Sequence, residues 1–258
     1  MQRLESRRVT TAILSALAEE QQGLLDLLHQ PRRVTRAGRE FWQGELHGQP
    51  VVLALSRIGK VAAATTATTL IEAFGAQRLV FTGVAGGVGH GVRVGDVVVA
   101  ADFVQHDMDA SPIFPRYQIP LYGRERFACD ATLSAHLLGA AHAGLARLKA
   151  ESDLQDRAVH HGLIASGDRF VSAAAEARRL HADLSDAGHA PLAVEMEGAA
   201  VAQVCHDYDV PFAAVRTISD RADDTAHVDF PKFVTEVASR YALVIIDEFV
   251  RSLNTSRR

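Results

Sequence analysis

Two short stretches of this chain carry more charge than packing alone explains. Val194-Glu195-Met196-Glu197 ends one apolar run, and Val215-Arg216-Thr217-Ile218-Ser219-Asp220 ends another. Carboxylates are rarely buried unless a partner or a ligand meets them, so something must bind at these run ends. On an extended backbone Glu195 and Glu197 face one way and Met196 the other. Two readings fit the pair: a buried ion pair with Arg216, or a glutamate on sugar hydroxyls with Met196 as an apolar floor. Asp220 is likewise either a helix cap shared with Ser219 or a general acid that Ser219 orients beside Arg216.

Two turns follow other apolar runs. In Thr82-Gly83-Val84-Ala85-Gly86-Gly87 the glycines make either a tight turn between packed elements or a place where the backbone of Val84, Ala85 and Gly86 approaches a ligand. The spacing is not G-x-G-x-x-G, and no Gly-Lys-Ser/Thr follows, so neither a dinucleotide nor a P-loop phosphate is indicated. No cofactor is expected. Ser166-Gly167-Asp168-Arg169-Phe170-Val171 is a turn in which Phe170 is a core aromatic, or stacks on a planar heterocycle whose edge the Val171 backbone reads. The chain has 12 histidines but no H-x-x-x-H or H-E-x-x-H pattern, so no metal site is expected. A serine-hydrolase elbow, Gly-x-Ser-x-Gly, is absent.

These positions need a scaffold, and the rest of the chain supplies one. Short β-branched runs at 10–14, 51–55, 79–82, 96–101, 163–165, 193–197 and 212–218 alternate with helix-like segments at 19–28, 61–74, 131–143, 173–184, 198–208 and 231–253. The second helix stops at Gly75, and Pro231 suits a first helical turn. Such alternation predicts one α/β domain, a mixed central β-sheet flanked by helices, over residues 10–252. Residues 1–9 read as a flexible arm and 253–258 as a tail. In such sheets ligands bind beyond the strand ends, where Glu20, the glycine turn, Asp168, Glu197 and Asp220 fall.

Of 258 residues, 48% are hydrophobic and 22% charged, which is ordinary globular composition. A net charge of -4 and a pI near 6.3 argue against a nucleic-acid or anionic-membrane partner. The N-terminus lacks the long apolar run of a signal or a membrane span, which predicts a soluble, cytoplasmic protein. Cys129 and Cys205 are expected to be free thiols.

Assembled in order, SALAEE (15–20), SRIGKVAAA (56–64), TGVAGGV (82–88), GLIASGDRFV (162–171), AVEMEGAAVAQVC (193–205) and VRTISDRAD (215–223) resemble the 5′-methylthioadenosine/S-adenosylhomocysteine nucleosidases of the nucleoside phosphorylase-like superfamily. The resemblance runs from about Thr11 to Val250. It implies the purine/uridine phosphorylase-like fold and hydrolysis of the N-glycosidic bond of 5′-methylthioadenosine and S-adenosylhomocysteine, releasing adenine and the 5-thioribose product in methionine salvage. It assigns Asp220 to protonate the purine N7, Glu20 to deprotonate the attacking water, and Glu197 to bind the ribose hydroxyls, with Met196 against the sugar. Phe170 would stack on adenine, and Val171 would read its amino edge. Ser219 and Arg216 would support the acid and the glutamate. Ile58, Phe230 and the loop near Ile113 would line the 5′ pocket, the last from a partner subunit of a homodimer. The physics is coherent: glycosidic cleavage separates charge, and an acid at the base with carboxylates around the sugar stabilises both ends.

Three departures stand out. Val84 replaces a serine common in the family, the acidic triple before the first helix is Ala18-Glu19-Glu20, and residues 106–123 diverge most. Two alternatives share the superfamily: a phosphate-dependent phosphorylase and an aminodeoxyfutalosine nucleosidase. The first needs arginines around a phosphate, whereas TGVAGG holds none and Glu20 would repel the anion. The second differs only around 106–123. A non-catalytic nucleoside-binding protein on the same fold is disfavoured by the intact Glu20, Glu197 and Asp220.

Overall fold

Each apolar run becomes a strand, and most strands are followed by a helix or a hairpin. The computed structural model describes residues 9–151, 157–223, 226, 230 and 233–255. Most of the expected N-terminal arm, and Pro231, lie outside the described residues. In chain order the elements are β1 (Thr11–Ser15), α1 (Ala18–Asp26), β2 (His29–Arg36), β3 (Arg39–Leu46), β4 (Gln49–Leu55), α2 (Lys60–Phe74), β5 (Arg78–Gly87), β6 (Val97–Gln105), β7 (Arg126–Ala128), α3 (Ala131–Glu151), β8 (Val159–Ser166), α4 (Ala174–Asp186), β9 (Pro191–Glu195), α5 (Gly198–Asp207) and β10 (Phe212–Asp220). A π-helical turn, Val234–Ala238, then leads into α6 (Ser239–Thr255).

The strands form a single mixed sheet in the order β10-β6-β8-β9-β5-β1-β4-β3-β2, with β7 on β6. A further β10–β5 pairing closes β5, β10, β6, β8 and β9 into a ring. Side chains alternate across the sheet. Leu14, Phe81, Val98 and Ala214 face a core completed by α2 and α5, while Ile13, Val80, Val99 and Val215 face one completed by α1, α3 and α6. Strands covered on both faces read as continuous apolar runs, and β10 is buried along its whole length.

The α/β architecture matches expectation, and the differences are local. β2, β3 and β7 were not foreseen. β2 is an exposed edge strand of polar residues with no buried face to imprint a pattern. Two-residue turns join β2 to β3 and β3 to β4: Ala37-Gly38 and His47-Gly48 all have positive φ, the conformation that matches the twist of a hairpin. α3 runs to Glu151 rather than stopping near 143. α6 runs through Thr255, into the expected tail. β9 ends at Glu195, two residues early, because Glu197 (φ -135°, ψ -39°) already turns into α5. Cys129 and Cys205 are free thiols.

The start of α5 lies hard against β6. A Cβ added at Gly198 would sit 2.1 Å from Cε1 of the buried Phe103 ring. Gly198→Ala is therefore expected to cost roughly 1–3 kcal/mol by overpacking, read as a lower urea midpoint with an unchanged denaturant slope.

Candidate active site

The C-terminal ends of β1, β4, β5, β8, β9 and β10 surround one cavity of about 290 Å³. Glu20, Ile58, Val84, Ala85, Gly86, Phe170, Val171, Met196, Glu197, Asp220 and Phe230 all line it. Three expected residues do not. Arg216 and Ser219 lie behind the wall, Arg216 against Glu195 and Ser219 against Asp220 and the Ala85 carbonyl. Ile113 is 82% exposed and lines no part of this chain's own cavity.

Glu195 organises the wall. It is buried, and its Oε2 lies 2.7 Å from Nη2 of the buried Arg216. Gly198 N–H donates to both of its oxygens (3.0 and 2.9 Å), and Glu197 N–H donates to Oε2 (3.2 Å). Ser166 Oγ donates to Oε1 and accepts from Ala199 N–H at 2.8 Å. The first amides of α5, which have no partner within the helix, are thus met by a carboxylate and a serine. Arg216 completes its shell by donating to the Phe81 and Val215 carbonyls (3.2 Å each), and its guanidinium lies 4.1 Å from the Phe81 ring centroid. Of the two readings of the glutamate pair, the ion pair with Arg216 belongs to Glu195.

Glu197 is left facing the cavity. Its Oε1 accepts from Gly59 N–H at 2.9 Å, and Oε2 has no hydrogen bond among the described residues. Gly59 sits at φ 94° just before α2, a conformation other residues strongly disfavour. Burial first, and then the negative charge of Glu195, push the Glu197 carboxyl up to about 8; the Gly59 amide and Arg216 pull the other way.

Glu20 sits in the first turn of α1. Its Oε2 accepts from Ala16 N–H (2.8 Å) and Leu17 N–H (3.0 Å), and its Oε1 from Val84 N–H (3.1 Å). Three amides fix it between β1 and β5, yet burial still raises its pKa above the usual value. A Cβ at Gly83 would come within 3.1 Å of Oε1, so the glycine turn makes room for this carboxylate. Asp220 ends β10, with Ser219 Oγ donating to Oδ2 (2.8 Å) and Ala222 N–H to Oδ1 (2.7 Å). A Cβ at Gly86 would lie 2.9 Å from Ala222 Cβ and 3.1 Å from Asp220 Oδ1. Phe170 meets Phe230 edge-on, with ring centroids 5.4 Å apart.

Ala16, Leu17, Arg169, Val194 and Glu195 also line the cavity. Arg169 stands inside the Ser166–Val171 turn without any spacing that marks it. Gly59 had one legible signal, a glycine directly before an alanine-rich helix. No group of three or more His, Cys, Asp or Glu suited to a metal occurs among the described residues.

The model of the phosphorylase superfamily matches residues 10–251. Over 230 residues the chain is 39% identical to the 5′-methylthioadenosine/S-adenosylhomocysteine nucleosidase of Bacillus thuringiensis (strain Al Hakam), covering 88% of this chain and 92% of that protein. Its fold is similar to the nucleosidase of that description from Neisseria meningitidis in complex with methylthio-immucillin-A (TM-score 0.84, 35% identity, 94% of this chain and 99% of that one). It is also similar to the structure of a futalosine hydrolase from Helicobacter pylori (TM-score 0.81, 32% identity, 96% and 98%). The chain belongs to the phosphorylase superfamily and, within it, to the family of 5′-methylthioadenosine/S-adenosylhomocysteine nucleosidases.

The Glu197 geometry carries a consequence for stability. The unfolded carboxyl titrates near its ordinary 4.5 and the folded one near 8, so between these values the folded chain holds a proton that the unfolded chain has released. Stability from this group therefore falls as pH rises from about 4.5 to about 8, and then levels off. Glu197→Gln is expected to raise the thermal midpoint at pH 9 by more than at pH 5, as followed by calorimetry.

Proposed function

We propose that this chain hydrolyses the N-glycosidic bond of 5′-methylthioadenosine and S-adenosylhomocysteine, releasing adenine and the 5-thioribose product. The observation that carries this reading is the meeting of three buried carboxyl residues, Glu20, Glu197 and Asp220, in one cavity with the Phe170 ring. In the reaction the C1′–N9 bond breaks and its electron pair leaves with the base. Asp220 delivers a proton to N7, so that adenine departs neutral. A water adds to C1′ and gives its proton to Glu20. Burial raises the Glu20 pKa above its ordinary value, which makes the carboxylate a stronger base. Glu197 accepts from the ribose hydroxyls through the oxygen that Gly59 does not hold, and Met196 packs beneath the sugar. Ser219 and Arg216 act behind the wall, on Asp220 and Glu195 respectively.

Hydrolysis is favoured over phosphorolysis by the cations. Among the lining residues only Arg169 is basic, and Arg216 is spent on Glu195. A phosphate would meet carboxylates where it needs arginines. A second reading, aminodeoxyfutalosine as substrate, draws support from the likeness to the Helicobacter pylori protein and would use the same carboxyls. We place the activity in cytoplasmic methionine salvage, in a homodimer. Ile113 and Leu121, 82% and 91% exposed, support a second copy that covers them, with Ile113 entering the neighbour's 5′ pocket.

Asp220→Asn is expected to lower kcat by about 10²–10⁴-fold, as loss of general acid catalysis requires; near-normal turnover would refute its role. Adenine release followed spectrophotometrically with and without phosphate separates the two chemistries. The expected result is phosphate-independent release of a free thioribose, and a sugar 1-phosphate would overturn the hydrolytic mechanism.

A further inference from the structure

The floor of the cavity is acidic and its rim is not. Glu20, Glu195, Glu197 and Asp220 are buried, whereas Ile58, Phe170 and Arg169 are exposed and mark where the cavity opens. Arg169 is the one cation among the residues that line it. A neutral alkylthio group on the sugar has no use for a guanidinium at this rim. A 5′ substituent that ends in a carboxylate does, because a guanidinium at the mouth offers it a charge-assisted hydrogen bond.

The position of Arg169 along the rim follows from its neighbours in the chain. Asp168 Oδ1 accepts from Lys60 N–H at 2.8 Å and would lie 3.2 Å from a Cβ on Gly59, so it abuts the segment that carries Ile58. Phe170 on the other side meets the Phe230 ring. Arg169 therefore stands between the Ile58 wall and the Phe230 wall, the side assigned above to the 5′ substituent.

The arginine is held and still available. Its Nε lies 2.7 Å from Glu176 Oε1 in the first turn of α4, while its side chain is 75% exposed. No hydrogen bond to its two terminal nitrogens occurs among the described residues. Anchoring by Nε leaves the outer edge of the planar fork for an approaching carboxylate. Lys60, whose backbone meets Asp168, is committed: its Nζ lies 2.5 Å from Asp107 and 3.1 Å from Gln105.

We infer that Arg169 is a specificity-determining residue that receives the carboxylate at the far end of a 5′ substituent, and so sets the preference among 5′-substituted adenosines. The inference rests on the nucleosidase reading and adds to it the residue that separates carboxylate-bearing from neutral 5′ tails. Two known chemistries present such a group, the amino-acid carboxylate of S-adenosylhomocysteine and the aryl carboxylate of aminodeoxyfutalosine.

The test compares Arg169→Ala, Arg169→Lys and the unaltered chain on four substrates: methylthioadenosine, S-adenosylhomocysteine, its decarboxylated analogue and aminodeoxyfutalosine. Relative to methylthioadenosine, Arg169→Ala is expected to lower kcat/KM for a carboxylate-bearing substrate by roughly 1.5- to 5-fold, the scale of one solvent-exposed ion pair, mainly through KM. The ratio for the decarboxylated analogue, whose tail keeps only an ammonium, should not fall, Arg169→Lys should restore part of the loss, and the difference should shrink in high salt. Whichever carboxylate substrate loses selectivity identifies the source of the carboxylate. An equal change on all four substrates, or no change in any ratio, overturns the inference while leaving the nucleosidase reading intact. Failure of the unaltered chain to release adenine from any of the four overturns both.

Discussion

The ion pair between Glu195 and Arg216 is the interaction on which the site depends. An arginine buried in the middle of a sheet and a carboxylate buried at a strand end are each expensive to desolvate. Together they close a network that includes Ser166, the first amides of α5 and a phenylalanine face. The network fixes where α5 begins relative to β8, β9 and β10, and hence where the neighbouring Glu197 points. Removing either partner would leave a lone buried charge costing about 3–5 kcal/mol, so the pair is strongly constrained even though it lies outside the proposed chemistry.

Around that anchor, each carboxylate is placed mainly by backbone amides. Glu20 is held by three amides, two from the β1–α1 loop and one from β5, Glu197 by the amide of Gly59, and Asp220 by the amide of Ala222 with the Ser219 hydroxyl. Glycines at 59, 83 and 86 let backbone and carboxylate approach that closely. Amides carry no net charge, so they orient the carboxylates without fully lowering their pKa values. Glu20 and Glu197 both remain raised.

Much of this could be read from the amino acids because a carboxylate at the end of an apolar run is conspicuous. Glu197 and Asp220 stood out for that reason, and the alternation of strands and helices gave the layered α/β order. What could not be read depends on conformation. An extended strand would put Glu195 and Glu197 on one face; the turn into α5 separates them, and no pattern of residue types encodes that ψ of -39°. The β2–β3–β4 hairpins escaped because β2 buries no face, and because the Ala37-Gly38 and His47-Gly48 turns are weaker signals than Asn-Gly. Arg169 was invisible for a different reason: an exposed arginine is ordinary until the cavity beside it is known.

The start of α5 has one more implication. A helix N-terminus facing a cleft is a natural seat for a free anion such as phosphate. Here that seat is already filled by Glu195, an anion tethered to the chain itself. An incoming phosphate would have to evict a group that can never diffuse away. The chain thus carries a permanent occupant where a mobile co-substrate could otherwise dock, and converting it to an anion-using enzyme would require rebuilding the arginine partnership and the helix entry in a single step.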